Sequence, residues 1–210
     1  MKKFLLILFL LACCISLQTS AQQIPLEIMA GHKRTGADVL WFKKFSTTKN
    51  NPWLFFHRSR ASTDYHNKTN FGVTNALSYN FKSGAGIVVA TQFLQTGFVA
   101  KAGVQYFKLF KNASVFTWLV AGNNTLNNFS GDWFVLARWQ PKLNEQWKWF
   151  LQAENFTSFD TKKNKSLTQR IRVGISRHHW QLGVAADYTE SGINKLLVTN
   201  NIGSFVRKEF

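Results

Sequence analysis

The sequence predicts an all-β protein, an antiparallel up-and-down transmembrane β-barrel of about twelve strands. Two patterns point to this. Apolar residues recur at every second position almost throughout residues 24–210, and short clusters of Gly, Asn, Ser, Thr and Lys punctuate them. Composition agrees, because 20 Phe and 8 Trp against only 3 Pro in 210 residues favour strands.

The chain opens MKKFLLILFLLACCISLQTSAQQ. Lys2 and Lys3 form a basic start, Phe4 to Leu17 an apolar stretch, and Thr19-Ser20-Ala21 a small-residue cleavage site. That is the pattern of an export signal over residues 1–21, too short and too soon interrupted for a membrane anchor. A competing reading takes Leu10-Leu11-Ala12-Cys13 as a lipoprotein signal with lipidation at Cys13. Cleavage after Ala21 removes both cysteines, so the barrel domain over 22–210 has no disulfide to staple it. Loss of Lys2 and Lys3 takes the formal charge from +16 to +14. In an exported protein that excess points to membrane lipids and lipopolysaccharide phosphates as partners; no nucleic-acid-binding motif accompanies it.

The expected strands run over 24–32, 37–45, 52–61, 70–82, 85–94, 98–110, 113–121, 132–140, 146–157, 166–176, 180–188 and 195–210. Only Lys33-Arg34-Thr35-Gly36 divides the first two. The count falls to ten if residues 24–45 form a plug or one long strand. FGVTNALSYNFK is the clearest strand, with Phe71, Val73, Asn75, Leu77, Tyr79 and Phe81 on one face. Ser83-Gly84 and Gln95-Thr96-Gly97 then supply the next two turns. In LTQRIRVGIS, Leu167, Ile171, Val173 and Ile175 oppose Arg170 and Arg172. With the N-terminus inside, the connections at the other end include the longest, such as STDYHNKT and GNNTLNNFSG. Trp53, Trp139, Trp147, Trp149 and Trp180 fall beside connections on the near side, as an aromatic girdle requires.

The closing stretch LLVTNNIGSFVRKEF places Ile202, Val206 and Phe210 on one face. Arg207 and Glu209 fall on the other face with Phe205, while Lys208 reaches from the lipid side toward headgroups. Phe205 inside and Lys208 outside fit this sorting least well. Export signal, even strand count and a terminal strand ending in Phe210 together resemble bacterial outer-membrane β-barrel proteins. The resemblance implies an outer-membrane location and Phe210 as part of the signal presented to the barrel-assembly machinery. It assigns no subfamily and leaves the oligomeric state open.

If the more apolar face meets lipid, the lumen receives Glu27, Asp38, Arg58, Arg60, Lys101, Arg138, Lys148, Glu154, Arg170, Arg172, Asp187 and Glu209. Arg58/Arg60 and Arg170/Arg172 form two charged ladders at strand spacing. Twelve strands lie between roughly 8, which side chains fill, and roughly 16, which hold a channel. The lumen therefore reads as a satisfied ion-pair plug or a narrow anion-favouring pore. The leading expectation is a non-enzymatic structural or small-solute barrel.

One outward constellation points elsewhere. His57 and Ser59 share a face, and a hairpin centred near residue 66 brings Asn75 opposite them. This is similar to the outer-membrane phospholipase arrangement, an outward His-x-Ser pair oriented by an Asn on a neighbouring strand. The similarity implies Ser59 as nucleophile, His57 as general base and Asn75 as the group that fixes the imidazole. Where that family follows its serine with Asn-Gly, this chain has Arg60-Ala61. A lipid-acyl hydrolase is thus the first alternative function, and a soluble exported barrel binding an apolar ligand the second. His32, His66, His178 and His179 lack the spacing of metal ligands, and no cofactor motif is present.

Overall fold

The computed structural model describes residues 24–45, 51–95, 97–123, 129–161, 165–193 and 197–210. The expected signal over 1–21 and Cys13 lie outside the described residues. The described chain forms β1 (Pro25–Gly31), β2 (Arg34–Lys44), β3 (Trp53–Asp64), β4 (Thr69–Asn80), β5 (Ala85–Leu94) and β6 (Gly97–Leu109). It continues with β7 (Ala113–Asn123), β8 (Phe129–Trp139), β9 (Lys148–Asp160), β10 (Lys165–Arg177), β11 (Trp180–Gly192) and β12 (Leu197–Glu209). Each strand pairs antiparallel with its sequence neighbours, and β1 pairs with β12 to close the barrel.

Twelve strands, rather than ten, follow from a tight first hairpin. The Asn201 carboxamide oxygen accepts from the backbone N–H of Lys33 (3.0 Å) and Arg34 (3.2 Å). Its Nδ2 donates to the Arg34 carbonyl at 3.1 Å. A side chain from the last strand thereby satisfies the turn that divides β1 from β2, a contact invisible to local sequence reading.

The seam runs in register from Pro25↔Glu209 to Gly31↔Gly203. Beyond it, Ile24 and Phe210 exchange backbone hydrogen bonds of 3.0 and 3.1 Å. Phe210 thus anchors the closing seam by its backbone while its ring stays exposed. Phe205 is buried inside, and Lys208 lies over the Trp180 and Phe210 rings at 5.1 and 4.7 Å. Both residues that fit the sorting least well on sequence therefore have a packing reason.

The outward face is an apolar belt. Val184 and Ile202 each keep 60% of their surface exposed, and Ile87, Val104, Leu119 and Ile171 are exposed beside them. A belt this continuous excludes the soluble-barrel alternative, because water would leave it uncovered. Trp53, Trp139, Trp149 and Trp180 are exposed at the end carrying the termini, and Phe71, Phe93, Phe129 and Trp133 toward the opposite end. Cations stand over rings at the first of these ends: Lys43 over Trp41, Lys108 over Phe110, Arg177 over Trp147 and Lys208 over Trp180, at 5.1–5.6 Å.

The expected asymmetry of loop length is corrected. The two longest connections, 45–52 and 140–147, lie at the end carrying the termini. At the other end the strands run further than expected, to Asp64, Asn123, Asp160 and Gly192. Those extensions are rich in Ser, Thr, Asn and Asp, so apolar alternation fades while backbone pairing continues. Strand length here is set by the hydrogen-bond ladder rather than by the width of the apolar belt.

Backbone proximity at the seam gives a test. A Cβ on Gly203 would fall 1.9 Å from the Ala30 carbonyl oxygen and 2.5 Å from Gly31 Cα. Gly203→Val should therefore destabilise the barrel by about 1–3 kcal/mol or more. It should also sharply reduce the fast-migrating unboiled band on a heat-modifiability gel.

Candidate functional site

The barrel offers two sites of polar chemistry, one on each face of β3. On the outward face, His57 stands directly opposite Asn75, and Ser59 lies two residues further along the strand. Period-2 alternation puts all three on the lipid side. A non-crossing hairpin puts Asn75 within reach of the imidazole. His57 Nδ1 is 2.7 Å from Asn75 Oδ1, and Ser59 Oγ is 2.8 Å from His57 Nε2. A carboxamide oxygen only accepts, so Nδ1 carries the proton and donates to it. Nε2 is then left with a lone pair that accepts from the serine hydroxyl. All three side chains are half-buried, framed by Val39 and Val73 beside Ser59, and by Trp41 beside His57.

The geometry joins the three residues that the sequence singled out. It also disposes of one role for the residue after the serine. Arg60 turns inward, where its Nη2 donates to Asp38 Oδ2 at 2.6 Å, and so takes no part on the lipid side.

On the inward face the predicted ladder residues come together in one network. Arg58 donates to both carboxylate oxygens of Asp38, Nε at 3.1 Å and Nη2 at 2.5 Å, while Nη1 pairs with Glu154 at 2.8 Å. Arg170 lies 3.6 to 3.8 Å from Glu154, Asp187 and Asp38. Arg172 bridges Glu27 (2.8 Å) and Asp187 (2.7 Å). Arg207 pairs with Glu27 and donates to Gln152 Oε1 at 2.9 Å. Arg138 donates to the same Gln152 oxygen at 2.9 and 3.1 Å, and Gln152 in turn donates to Glu154 at 2.7 Å. Lys148 stays apart from this network, exposed at the rim. Because β3 and β9 stand on opposite sides of a twelve-strand cylinder, the Arg58–Glu154 contact spans the lumen.

The expectation of a lumen lined by charged residues throughout needs correction. Half of the interior is an aromatic and aliphatic plug built from inward residues of β2, β3, β4, β5, β7 and β8. Phe56 stacks on Phe116 at 5.5 Å, and Trp118 and Phe134 meet Phe56 at 5.0 and 6.1 Å. Phe42 stacks on Phe107 at 5.4 Å below them. Assigning the more apolar face to lipid misses this layer, because runs such as WLFF are apolar on both faces. Such double-sided runs are the sequence signal of a filled lumen. Lys101, placed in the lumen by the sequence, pairs there with Asp132 at 2.7 Å, and Gln92 donates to the same carboxylate at 2.8 Å; sequence reasoning missed Gln92 and Asp132. The plug separates two cavities of about 280 and 340 Å³, one toward each mouth.

No protein-family model matches the chain, and no curated protein matches it in sequence. Solved structures do share its architecture. The KdgM porin aligns with 90% of this chain and 99% of its own at 10% identity and a TM-score of 0.50. The NanC porin in a rhombohedral crystal form aligns with 90% of this chain and 100% of its own at 9% identity and a TM-score of 0.50. The chain thus shares the fold of these porins, and its own twelve strands close into an outer-membrane β-barrel with an apolar belt.

The lumen network makes a stability prediction. Arg58→Leu strips Asp38 and Glu154 of their nearest cation and should cost about 3–5 kcal/mol in denaturant unfolding from detergent. His57→Ala, on the lipid face, should cost about 1 kcal/mol or less in the same assay.

Proposed function

We propose that this barrel is an acyl hydrolase of the outer membrane, with Ser59 as its nucleophile and an ester-linked membrane lipid as its substrate. The observation that carries the reading is the unbroken hydrogen-bonded chain from Ser59 through His57 to Asn75, facing lipid rather than lumen. Ser59 Oγ attacks the ester carbonyl while His57 Nε2 takes its proton; the imidazolium then returns that proton to the departing alkoxide oxygen. The acyl group stays on Ser59 until water, deprotonated by the same Nε2, attacks the acyl carbon. Fatty acid leaves and Oγ recovers its proton. Asn75 holds the ring in the one tautomer this sequence of transfers needs. It also adds no buried negative charge on a surface where lipid would make one costly. Val39 and Val73, which flank Ser59 in register, supply an apolar bed for an acyl chain. The cations over the girdle rings favour anionic headgroups nearby.

A narrow anion pore is the second reading, favoured by the fold shared with the two porins and by the arginines of the lumen. The contact of Arg58 with Glu154 across the barrel, backed by the stacked Phe56 and Phe116, weighs against it.

The test is fatty-acid release from phospholipid, lysophospholipid and lipopolysaccharide by the purified, folded protein. Ser59→Ala should lose release entirely, and Asn75→Ala should lower it by about 10²-fold or more. A fluorophosphonate should label Ser59 in the wild type and leave His57→Ala unlabelled. Absence of release from all three substrates, together with no labelling, would sink the hydrolase reading. In planar bilayers the same sample should stay electrically silent; steady single-channel steps would favour the pore instead.

A further inference from the structure

The ion network on the inward face does not balance. Six guanidinium groups (Arg34, Arg58, Arg60, Arg170, Arg172 and Arg207) are joined through shared contacts to four carboxylates, Glu27, Asp38, Glu154 and Asp187. Arginine stays charged under all ordinary conditions. The cluster thus keeps two positive charges more than its described carboxylates neutralise. In a wall that lipid surrounds, such an excess is costly unless water or an anion compensates it.

The excess borders a cavity. The 280 Å³ space toward the mouth opposite the termini has an apolar floor of Phe56, Trp118, Phe134 and Phe156. Arg58, Arg60 and Arg170 line it on the charged side together with the single carboxylate of Glu154. Arg60 holds its single short contact to Asp38 while its side chain remains 29% exposed. Arg170 makes only contacts of 3.6 Å or longer, and its Nε–H is buried without a hydrogen-bond partner. The buried indole N–H of Trp118 also has no acceptor. Three guanidinium groups thus face one carboxylate above the aromatic floor, and Ser62, Asn70, Thr74, Gln92 and Thr168 add polar side chains to the walls. The cavity's size falls near the small end of ligand pockets, about 300 Å³.

We infer that this cavity is a binding pocket for a small monocarboxylate with an apolar body, its carboxylate held by Arg60 and Arg170 and its body laid on Phe56, Trp118 and Phe134. A carboxylate is planar and accepts from two donors, as guanidinium groups offer them. The aromatic floor discriminates against sugars and inorganic anions, which would leave it bare. The aromatic plug beneath makes the pocket a dead end, so a ligand entering from the mouth leaves the same way. Pocket and serine lie on opposite faces of β3, and occupancy of one is independent of chemistry at the other.

The experiment is calorimetric titration of the full barrel in lipid nanodiscs, with empty nanodiscs subtracted. Octanoate and 4-phenylbutyrate are the probes, so that a chain is told from a ring. At least one should bind saturably, and its neutral amide should bind about tenfold more weakly or worse. Arg60→Gln should weaken binding by a similar factor, Thr74→Trp should abolish it by filling the cavity, and Ser59→Ala should leave it unchanged. Heat-modifiability shows that each variant is folded, and the amide comparison in the wild type needs no variant. The inference is overturned if neither probe binds, if the amide binds as tightly as the acid, or if butyrate binds as tightly as the probe that binds. Undiminished binding in folded Thr74→Trp overturns it as well.

Discussion

The hydrogen bonds that join β1 to β12 are the condition on which the rest of the molecule depends. A strand in lipid has no water to pair its edge, so an open sheet would leave two rows of unsatisfied N–H and C=O groups, each costing several kcal/mol. Closure by the seam from Pro25↔Glu209 to Gly31↔Gly203 removes both rows at once. It also makes the first and last elements of the chain neighbours, which is why Asn201 can satisfy the first hairpin and why Phe210 reaches Ile24. The same closure forces every side chain to choose between lipid and lumen.

Twelve strands enclose more space than aliphatic side chains of ordinary size would fill. This barrel fills it with two different materials. One half takes stacked rings, which bury large areas without a polar group left over. The other half takes long arginines, whose forked heads reach carboxylates across the barrel and lie over the rings of Phe134 and Phe150. The price of this filling is uneven charge, since more guanidinium groups than carboxylates fit the geometry. Fold likeness to porins thus coexists with a lumen that the side chains close.

β3 shows how one strand serves two environments. Phe56, Arg58 and Arg60 alternate with His57 and Ser59, so the residues that plug the lumen hold the backbone from which the triad projects outward. A rigid ladder on both sides, with Trp41 and Asn75 directly opposite His57, leaves the imidazole little freedom to drift. Sites carried on strands are more accurately positioned than sites on loops. The triad needs no loop at all.

The sequence alone determined the strand centres and which residues share a face, because period-2 patterning is a local property of the chain; the choice of twelve strands over ten came from the contact of Asn201 with the first hairpin. The sequence also determined that His57, Ser59 and Asn75 share one face, since hairpin pairing without crossovers leaves few registers. Strand ends were less legible: beyond the apolar belt, residues such as Thr63, Asn123 and Ser158 continue the ladder with no hydrophobic signal to mark it. Only the tertiary structure decided what fills the interior. Contacts such as Arg58 with Glu154 and Phe56 with Phe116 join strands far apart in sequence. The distance across a closed cylinder depends on how all twelve strands tilt and pack together, and no local pattern encodes it.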